Sequence, residues 1–534
     1  MVRVIYPHAV SRDMGSRPII NVYNPATLEK VGQAVSTLPD EVPGMVEKAR
    51  QAQSDWATSP LAERSKVLRK VQSALVERAD EIAELVSQET GKPLMESLAT
   101  DVMNAISVGD FSIERMAHLF RRSTIDLGRI SLIMKYMGRS SYIVPRPLGV
   151  IGIITPWNYP LAIPYSLTMM SLAAGNAVII KPSSFTPLTA LRLKELMEEA
   201  GSPTGLVQVA VGAGDEIGEA VASSAVDRII FTGHADVGRR IMVLASQRLT
   251  PITLELGGKD AFIVLRDAEL KRAAKAACWG SFVNSGQTCG AIKRIYVHRS
   301  VNERFTALLM EEVRSLRQGF DLKDPTISMG PMISEEMVQN MENQVSRALG
   351  KGAKVMVGGK RSEGLRGHYF EPTLISDLTQ DMDIVHQETF GPIVAMLTFD
   401  TEEEAVHMAN DSAFALNGSI WTADLERGKK LATELRAGTV MVNNVAYTYG
   451  LGATPWGGRG ESGSGRTHGD IGFEELVERQ HLHVDKGSFS SEIWWHPYGK
   501  DGVEAMHDFT GMVFNRERGS LIPRLLNSRR LMRR

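Results

Sequence analysis

Cysteine is nearly absent. Cys278 and Cys289 are the only two in 534 residues, too few for a disulfide framework or a cysteine-rich zinc site. They fit a reducing compartment, where a lone thiol is either buried and inert or accessible and used. An excess of one charge is missing too. Lys and Arg number 60 against 62 Asp and Glu, a formal net charge of −2, whereas a general nucleic-acid binder needs basic surplus to neutralise phosphates. The opening stretch MVRVIYPHAVSRDMGSRP has no continuous apolar core before Arg12 and Asp13. A secretory signal is therefore not expected, and a cytoplasmic address is. Apolar residues at 43% against 23% charged are enough for large cores and exclude global disorder.

An unbroken membrane span is also lacking, although one stretch imitates it. No charge occurs from Pro147 to Ile180, but Pro156, Pro160 and Pro164 interrupt the run and Asn158 and Asn176 sit inside it. LGVIGIITP and GNAVIIKP have the Val/Ile content and Gly/Pro borders of short buried strands, with helical length between them. Strand, helix, strand without charge is the pattern of a buried parallel βαβ unit.

The rest of the chain extends this reading. Residues 39–121 are expected to be mostly helical, and 130–146 (ISLIMKYMGRSSYIVPR) to form a β-hairpin around a Gly-containing turn. From 147 to about 257, GVIGIITP, AVIIKP, LVQVAVG and RIIFTG alternate with helical stretches, which predicts a doubly wound parallel sheet. A second βα block runs from about 260 to 445 through DAFIVL, KRIYVH and GTVMVNNV. GLGATPWGGRGESGSGR (450–466) is expected to be a loop, and ELVERQHLHV (475–484) to close a sheet with the hairpin. Residues 515–534 carry seven Arg against Glu517 alone. There, Leu521, Ile522, Leu525 and Leu526 would share one face of a short helix, a pattern that suits a peripheral anionic-membrane contact or a plain packing arm.

Several segments carry residues able to do chemistry. In FVNSGQTCG, Cys289 lies between a small polar turn and a glycine, so a thiol there can be reached by a ligand. Cys278, in KAACWG, reads as structural. In LELGGKDA, Glu255 sits between two leucines at a strand end; partial desolvation raises a carboxylate and suits it to general-base work. In TPWNYP, the Asn158 amide can donate to a developing oxyanion. KPSSFTP follows the second strand, and FTGHADVG runs from a strand into a helix N-terminus, where N–H groups receive phosphate. Alone, each has an ordinary structural reading as a core cysteine, a surface turn or a common glycine turn.

Together, in this order from about residue 20 to 485, and with QETFGPI and PWGGRGESGSGR, these segments resemble the aldehyde dehydrogenase superfamily. The resemblance implies a doubly wound cofactor domain (1–129 and 147–257), a second α/β catalytic domain (258–459), a small β oligomerisation arm (130–146 and 460–485) and a basic extension (486–534). It implies Cys289 as nucleophile, Glu255 as base for thioester hydrolysis and Asn158 as oxyanion donor. Cofactor contacts are implied for Thr155, Pro156, Trp157, Lys181, Ser184, Gly214, Gly233, His234, Val237, Gly238, Leu256, Glu388 and Phe390. Tunnel positions are implied for Tyr159, Ile163, Ser166, Tyr449 and Trp456. No metal is expected.

His234 stands where the family often has Ser. Ser184 stands where NAD-preferring members usually carry Glu, so NAD or NADP is expected to serve, with NADP tolerated. The expected activity is oxidation of a medium, long or aromatic aldehyde to the acid in a homodimer or homotetramer. Succinate semialdehyde is an alternative substrate, with Arg459 a candidate cation. A CoA-acylating enzyme and a catalytically silent scaffold are alternatives of the same fold.

Overall fold

The structure is a computed structural model and describes residues 17–487, 490–492 and 494–514. The chain divides into two units, one from the residues up to Leu119 together with Pro147–Val477, the other from Phe120–Arg146 and the residues from Glu478 onward. The basic stretch 515–534 and the opening residues 1–16 lie outside the described residues.

In the first unit, helices Val42–Thr58, Leu61–Glu77, Ala79–Thr90 and Met103–Leu119 precede a six-stranded sheet. Its spatial order is Gly463–Ser464, Ile252–Glu255, Arg228–Thr232, Val150–Ile154, Ala177–Lys181, Val207–Val209. All pairs described are parallel except Gly463–Ser464 against Ile252–Glu255. Val150–Ile154 and Ala177–Lys181 are buried at every residue, which is why neither alternates polar and apolar positions. The connecting helix Ala162–Ala173 is buried throughout as well. Among the described residues, no helix is long and apolar enough to cross a membrane.

A seven-stranded sheet forms the second core of this unit. Its order is Lys354–Val357, Thr373–Ser376, Ile393–Phe399, Ile292–His298, Asp260–Val264, Asn417–Trp421, Thr439–Val442, parallel apart from the first pair. Side chains from both faces, including Tyr296, Phe370 and Phe399 on one side and Phe262, Phe305 and Trp421 on the other, close the core. The α/β class with a doubly wound sheet holds.

Two local readings change. The first half of the expected hairpin is a helix, Ser131–Tyr136. The Ser131 hydroxyl accepts from Leu127 N at 2.9 Å and donates to Asp126 at 2.9 Å, fixing a helical start, and Gly138 at φ 76° then reverses the chain. Strand Arg139–Pro147 follows, and in the second unit it lies between Ser123–Thr124 and Val477–Asp485 in a three-stranded sheet. The loop 450–466 also contributes Gly463–Ser464 as the edge of the six-stranded sheet. Gly463, at φ 132°, approaches the Leu254 carbonyl too closely for a side chain.

Candidate active site

In the six-stranded sheet the strand order reverses between Val150–Ile154 and Arg228–Thr232, and ligands of open α/β sheets enter at the carboxyl ends beside such a reversal. Thr155, Pro156, Trp157 and Asn158 leave the first of these strands and Gly233 to Gly238 the second. Thr155 N donates to Lys181 O at 3.0 Å, and the buried Thr155 hydroxyl has no partner among the described residues. Lys181 is buried, and desolvation lowers its ammonium to about 8, opposed by Asp215 in the turn that begins at Gly214. Ser184 is buried three residues on.

A Cβ on Gly233 would lie 2.7 Å from the Phe231 ring, and one on Gly238 2.7 Å from Leu256 Cδ2. Glycine therefore lets backbone lie flat at the start of helix Ala235–Ser246, where Val237 is half-buried, leaving an anion cradle. His234 caps that helix, its Nδ1 accepting from Asp236 N at 3.3 Å. Its Nε2 lies 3.6 Å from Glu388 Oε2. Glu388 presses on Gly257, where a Cβ would overlap its Oε1. Burial raises the Glu388 carboxyl, with His234, Lys259 and Lys293 acting against the rise. Phe390 stands perpendicular to Trp157 at 5.6 Å.

Cys289 sits after a strained turn. Asn284 (φ 53°), Ser285 (φ 56°) and Gly286 (φ 68°) are successively left-handed, a conformation that non-glycine residues hold only when surroundings fix it. Here they do. Asn284 N donates to Glu96 at 3.0 Å and Asn284 Nδ2 to Asn158 O at 3.0 Å. Ser285 Oγ donates to Gly330 O at 2.8 Å, and Gln287 Oε1 accepts from Ile333 N at 2.9 Å. Asn158 joins the same turn, its Nδ2 donating to Gln287 O at 3.0 Å. Behind it, the buried Lys92 donates to Asn158 O at 2.7 Å and Asp101 at 2.8 Å, while Asp101 accepts from Leu161 N and Ala162 N, both at 3.1 Å. Burial pushes the Cys289 thiol up to about 12, reinforced by Asp260, Glu255 and Glu388 and opposed by the Gly290 N–H.

Glu255 ends its strand buried, and neither carboxylate oxygen has a hydrogen-bond partner among the described residues. Desolvation holds its carboxyl well above the usual range; Arg466 opposes the rise and Glu475 adds to it. Tyr449 is near enough to both Cys289 and Glu255 that their charges help raise its hydroxyl, after burial. Its ring stands edge-on to Trp456 at 5.2 Å and 4.5 Å from His468. Tyr159 pairs with the Thr288 hydroxyl at 2.6 Å. Ile163 and Ser166 are buried on the helix after Asn158, and among the described residues no hydrogen bond joins the Ser166 hydroxyl to anything. Cys278 is buried away in the seven-stranded core. Among the described residues, no group of three or more His, Cys, Asp or Glu could hold a metal ion.

This brings the Cys289 thiol, the Asn158 amide and the Glu255 carboxyl near one another between the two sheets of the first unit, and sequence comparison decides their lineage. The pattern that defines the aldehyde dehydrogenase family matches residues 12–482. The chain belongs to the aldehyde dehydrogenase family. One relative, in Mycobacterium ulcerans, provisionally named succinate-semialdehyde dehydrogenase [NADP(+)] 2, is 35% identical over 88% of this chain and 90% of its own. The peroxisomal aminoaldehyde dehydrogenase 1 of Pisum sativum is 36% identical over 86% and 92%. A point mutant of betaine aldehyde dehydrogenase from Staphylococcus aureus, solved with NAD+, shares 33% identity over 90% of this chain and 96% of its own, with a TM-score of 0.84.

Around the candidate site of this aldehyde dehydrogenase family member, motif reasoning missed four side chains. Lys92 and Asp101 lie far upstream and act through backbone atoms. Lys293 sits beside Arg294 in strand Ile292–His298, and two adjacent basic residues in a buried strand were the available signal. His468 is fully buried at φ 58° with both ring nitrogens unpartnered among the described residues, and desolvation lowers it to about 4.

Proposed function

We propose that the chain oxidises an aldehyde to its carboxylic acid with NAD or NADP through covalent catalysis at Cys289. The convergence of the Asn158 amide and the Cys289 thiol on one turn carries the reading. The crevice fits a dinucleotide: Gly233 and Gly238 leave room for a diphosphate against helix N–H groups, Lys181 stands for a ribose hydroxyl, and Glu388 for the second ribose. Bound NAD(P)+ supplies the hydride acceptor.

Cys289 gives up its thiol proton to water in the crevice and its Sγ adds to the carbonyl carbon, giving the oxyanion of a thiohemiacetal. The Asn158 amide and the Cys289 N–H hold the oxyanion where its charge is stabilised. After oxidation the carbon is a thioester on Cys289, and Glu255 takes a proton from the water that hydrolyses it. Glu255 speaks against CoA-acylating chemistry, in which that carboxylate has no task. Buried Ser184 neither binds a 2′-hydroxyl as firmly as a carboxylate nor repels a 2′-phosphate, which supports use of NADP.

Tyr159, Tyr449 and Trp456 give the substrate side aromatic walls, suited to a medium, long or aromatic aldehyde. Succinate semialdehyde is the second reading, favoured by the name of the Mycobacterium ulcerans relative. Arg459 is exposed on a strand paired with Phe414–Ala415, which counts against it as the cation for a substrate carboxylate. The second unit is proposed as the arm of a homodimer or homotetramer, because strand Val477–Asp485 is exposed at every residue after Val477. A cytoplasmic address is part of this reading. So is contact of the basic 515–534 stretch with an anionic lipid surface.

The test is formation of reduced cofactor with aliphatic, aromatic, ω-amino and succinate semialdehydes, with NAD and NADP, on wild type and Cys289→Ala. Turnover lost in C289A is expected; absence of turnover with every aldehyde overturns the proposal.

A further inference from the structure

Lys293 is a basic side chain in an unusual place. It stands four residues after Cys289 in strand Ile292–His298 and is 1% exposed. Strand register explains its direction. Across the parallel pair, Asp260 faces Ile292 but Ala261 faces Arg294, so Lys293 is the extra residue of a bulge. Bulges beside active sites re-aim a side chain.

The ammonium donates to Gly286 O at 2.8 Å and Gly391 O at 2.6 Å. Gly286 belongs to the left-handed turn that delivers Cys289, and Gly391 directly follows Phe390 in the segment carrying Glu388. The two loops touch backbone to backbone: a Cβ on Gly286 would overlap Gly391 O and lie 2.8 Å from Lys293 Nζ. Each buried carbonyl needs a donor; burial lowers this amine to about 7, with Glu388 and Asp260 opposing, and it donates to both carbonyls in either protonation state. Glu388 and Asp260 face this ammonium as negative charges, Lys259 as a positive one.

We propose that Lys293 is a positioning residue that ties the Cys289 turn to the Glu388–Phe390 segment, so that filling the dinucleotide crevice is felt at the Cys289 sulfur. This rests on the roles proposed above for Cys289 and Glu388. A ligand that moves Glu388 pulls on Gly391, and the shared donor passes the displacement to Gly286.

The test is alkylation of Cys289 by iodoacetamide, read peptide by peptide by mass spectrometry so that Cys278 is counted apart. Full-length wild type, Lys293→Met and Lys293→Gln are compared with and without saturating NAD+ or NADP+. Cofactor is expected to change the wild-type rate about tenfold, a typical size for coupling through a packed network. In K293M the response should vanish, and in K293Q, whose amide keeps two donor hydrogens, part of it should remain. A merely structural lysine would lower the melting temperature and leave the cofactor response intact, so a wild-type response in K293M overturns the proposal. A wild-type Cys289 indifferent to cofactor overturns it too. Should K293M fail to fold, K293Q decides: a full wild-type response in it overturns the tie, and a weakened one supports it. The readout needs no aldehyde, so a wild type that couples cofactor to thiol yet oxidises none retires the dehydrogenase chemistry and keeps the tie.

Discussion

Replacing Asn158 with alanine separates its proposed role as oxyanion donor from the scaffold around it. The amide has two hydrogens, and one is committed to Gln287 O at 3.0 Å, leaving the second for an alkoxide formed at Cys289. Removing one such donor costs about 10²–10³ in kcat, or roughly 2.7–4 kcal/mol. The structural loss is smaller. Gln287 O keeps Asn284 Nδ2 at 3.3 Å, and Asn158 O, a backbone atom, keeps Lys92 and Asn284. One neutral hydrogen bond of about 1 kcal/mol is forfeited, which lowers the melting temperature of a protein this large by about 2 °C. Initial rates at saturating aldehyde and cofactor, run beside thermal melts, should therefore show a fall in kcat of about two to three decades with KM for cofactor nearly unchanged. A kcat within about threefold of wild type would refute the donor role. Parallel loss of cofactor binding and folding would show instead that the turn itself had collapsed.

Glu255→Gln should leave a rapid first turnover and stall the next, with acyl-Cys289 accumulating in intact-mass spectra. Because burial holds the Glu255 carboxyl high, its base form fills as pH rises through that raised value and empties as pH falls. Wild-type kcat should accordingly climb on the alkaline side, and the E255Q profile should lose that limb. Ser184→Glu puts a like charge beside a 2′-phosphate and should shift the ratio of kcat/KM values toward NAD by about a hundredfold; an unchanged ratio would place the discriminating group elsewhere. Gly257→Ala drives a methyl into Glu388 Oε1 and should raise KM for cofactor by about tenfold.

Much of the site was legible because its residues follow strand ends, where a parallel sheet must present them. TPWN leaves Val150–Ile154, HADVG leaves Arg228–Thr232, and GGK leaves Ile252–Glu255; once the strands are placed, the crevice is placed. What holds those residues was not legible. Lys92 reaches the Asn158 carbonyl from 66 positions upstream, and nothing in TGKP announces a partner that is a backbone atom. The bulge that aims Lys293 is a property of pairing between two strands rather than of either sequence. The segment 131–136 failed for a different reason: a short apolar run carries both strand and helix periodicities, and the choice fell to a serine cap at Ser131 and to Gly138, features too local to outweigh the apparent alternation.

Burial, with Asp260, Glu255 and Glu388 adding to it, pushes the Cys289 thiol up to about 12, which favours S–H over the thiolate. Peroxides, disulfides and alkylating metabolites all attack the thiolate, so the idle molecule offers them little. The same burial and charge that hold the proton on the proposed nucleophile therefore also guard it against adventitious chemistry.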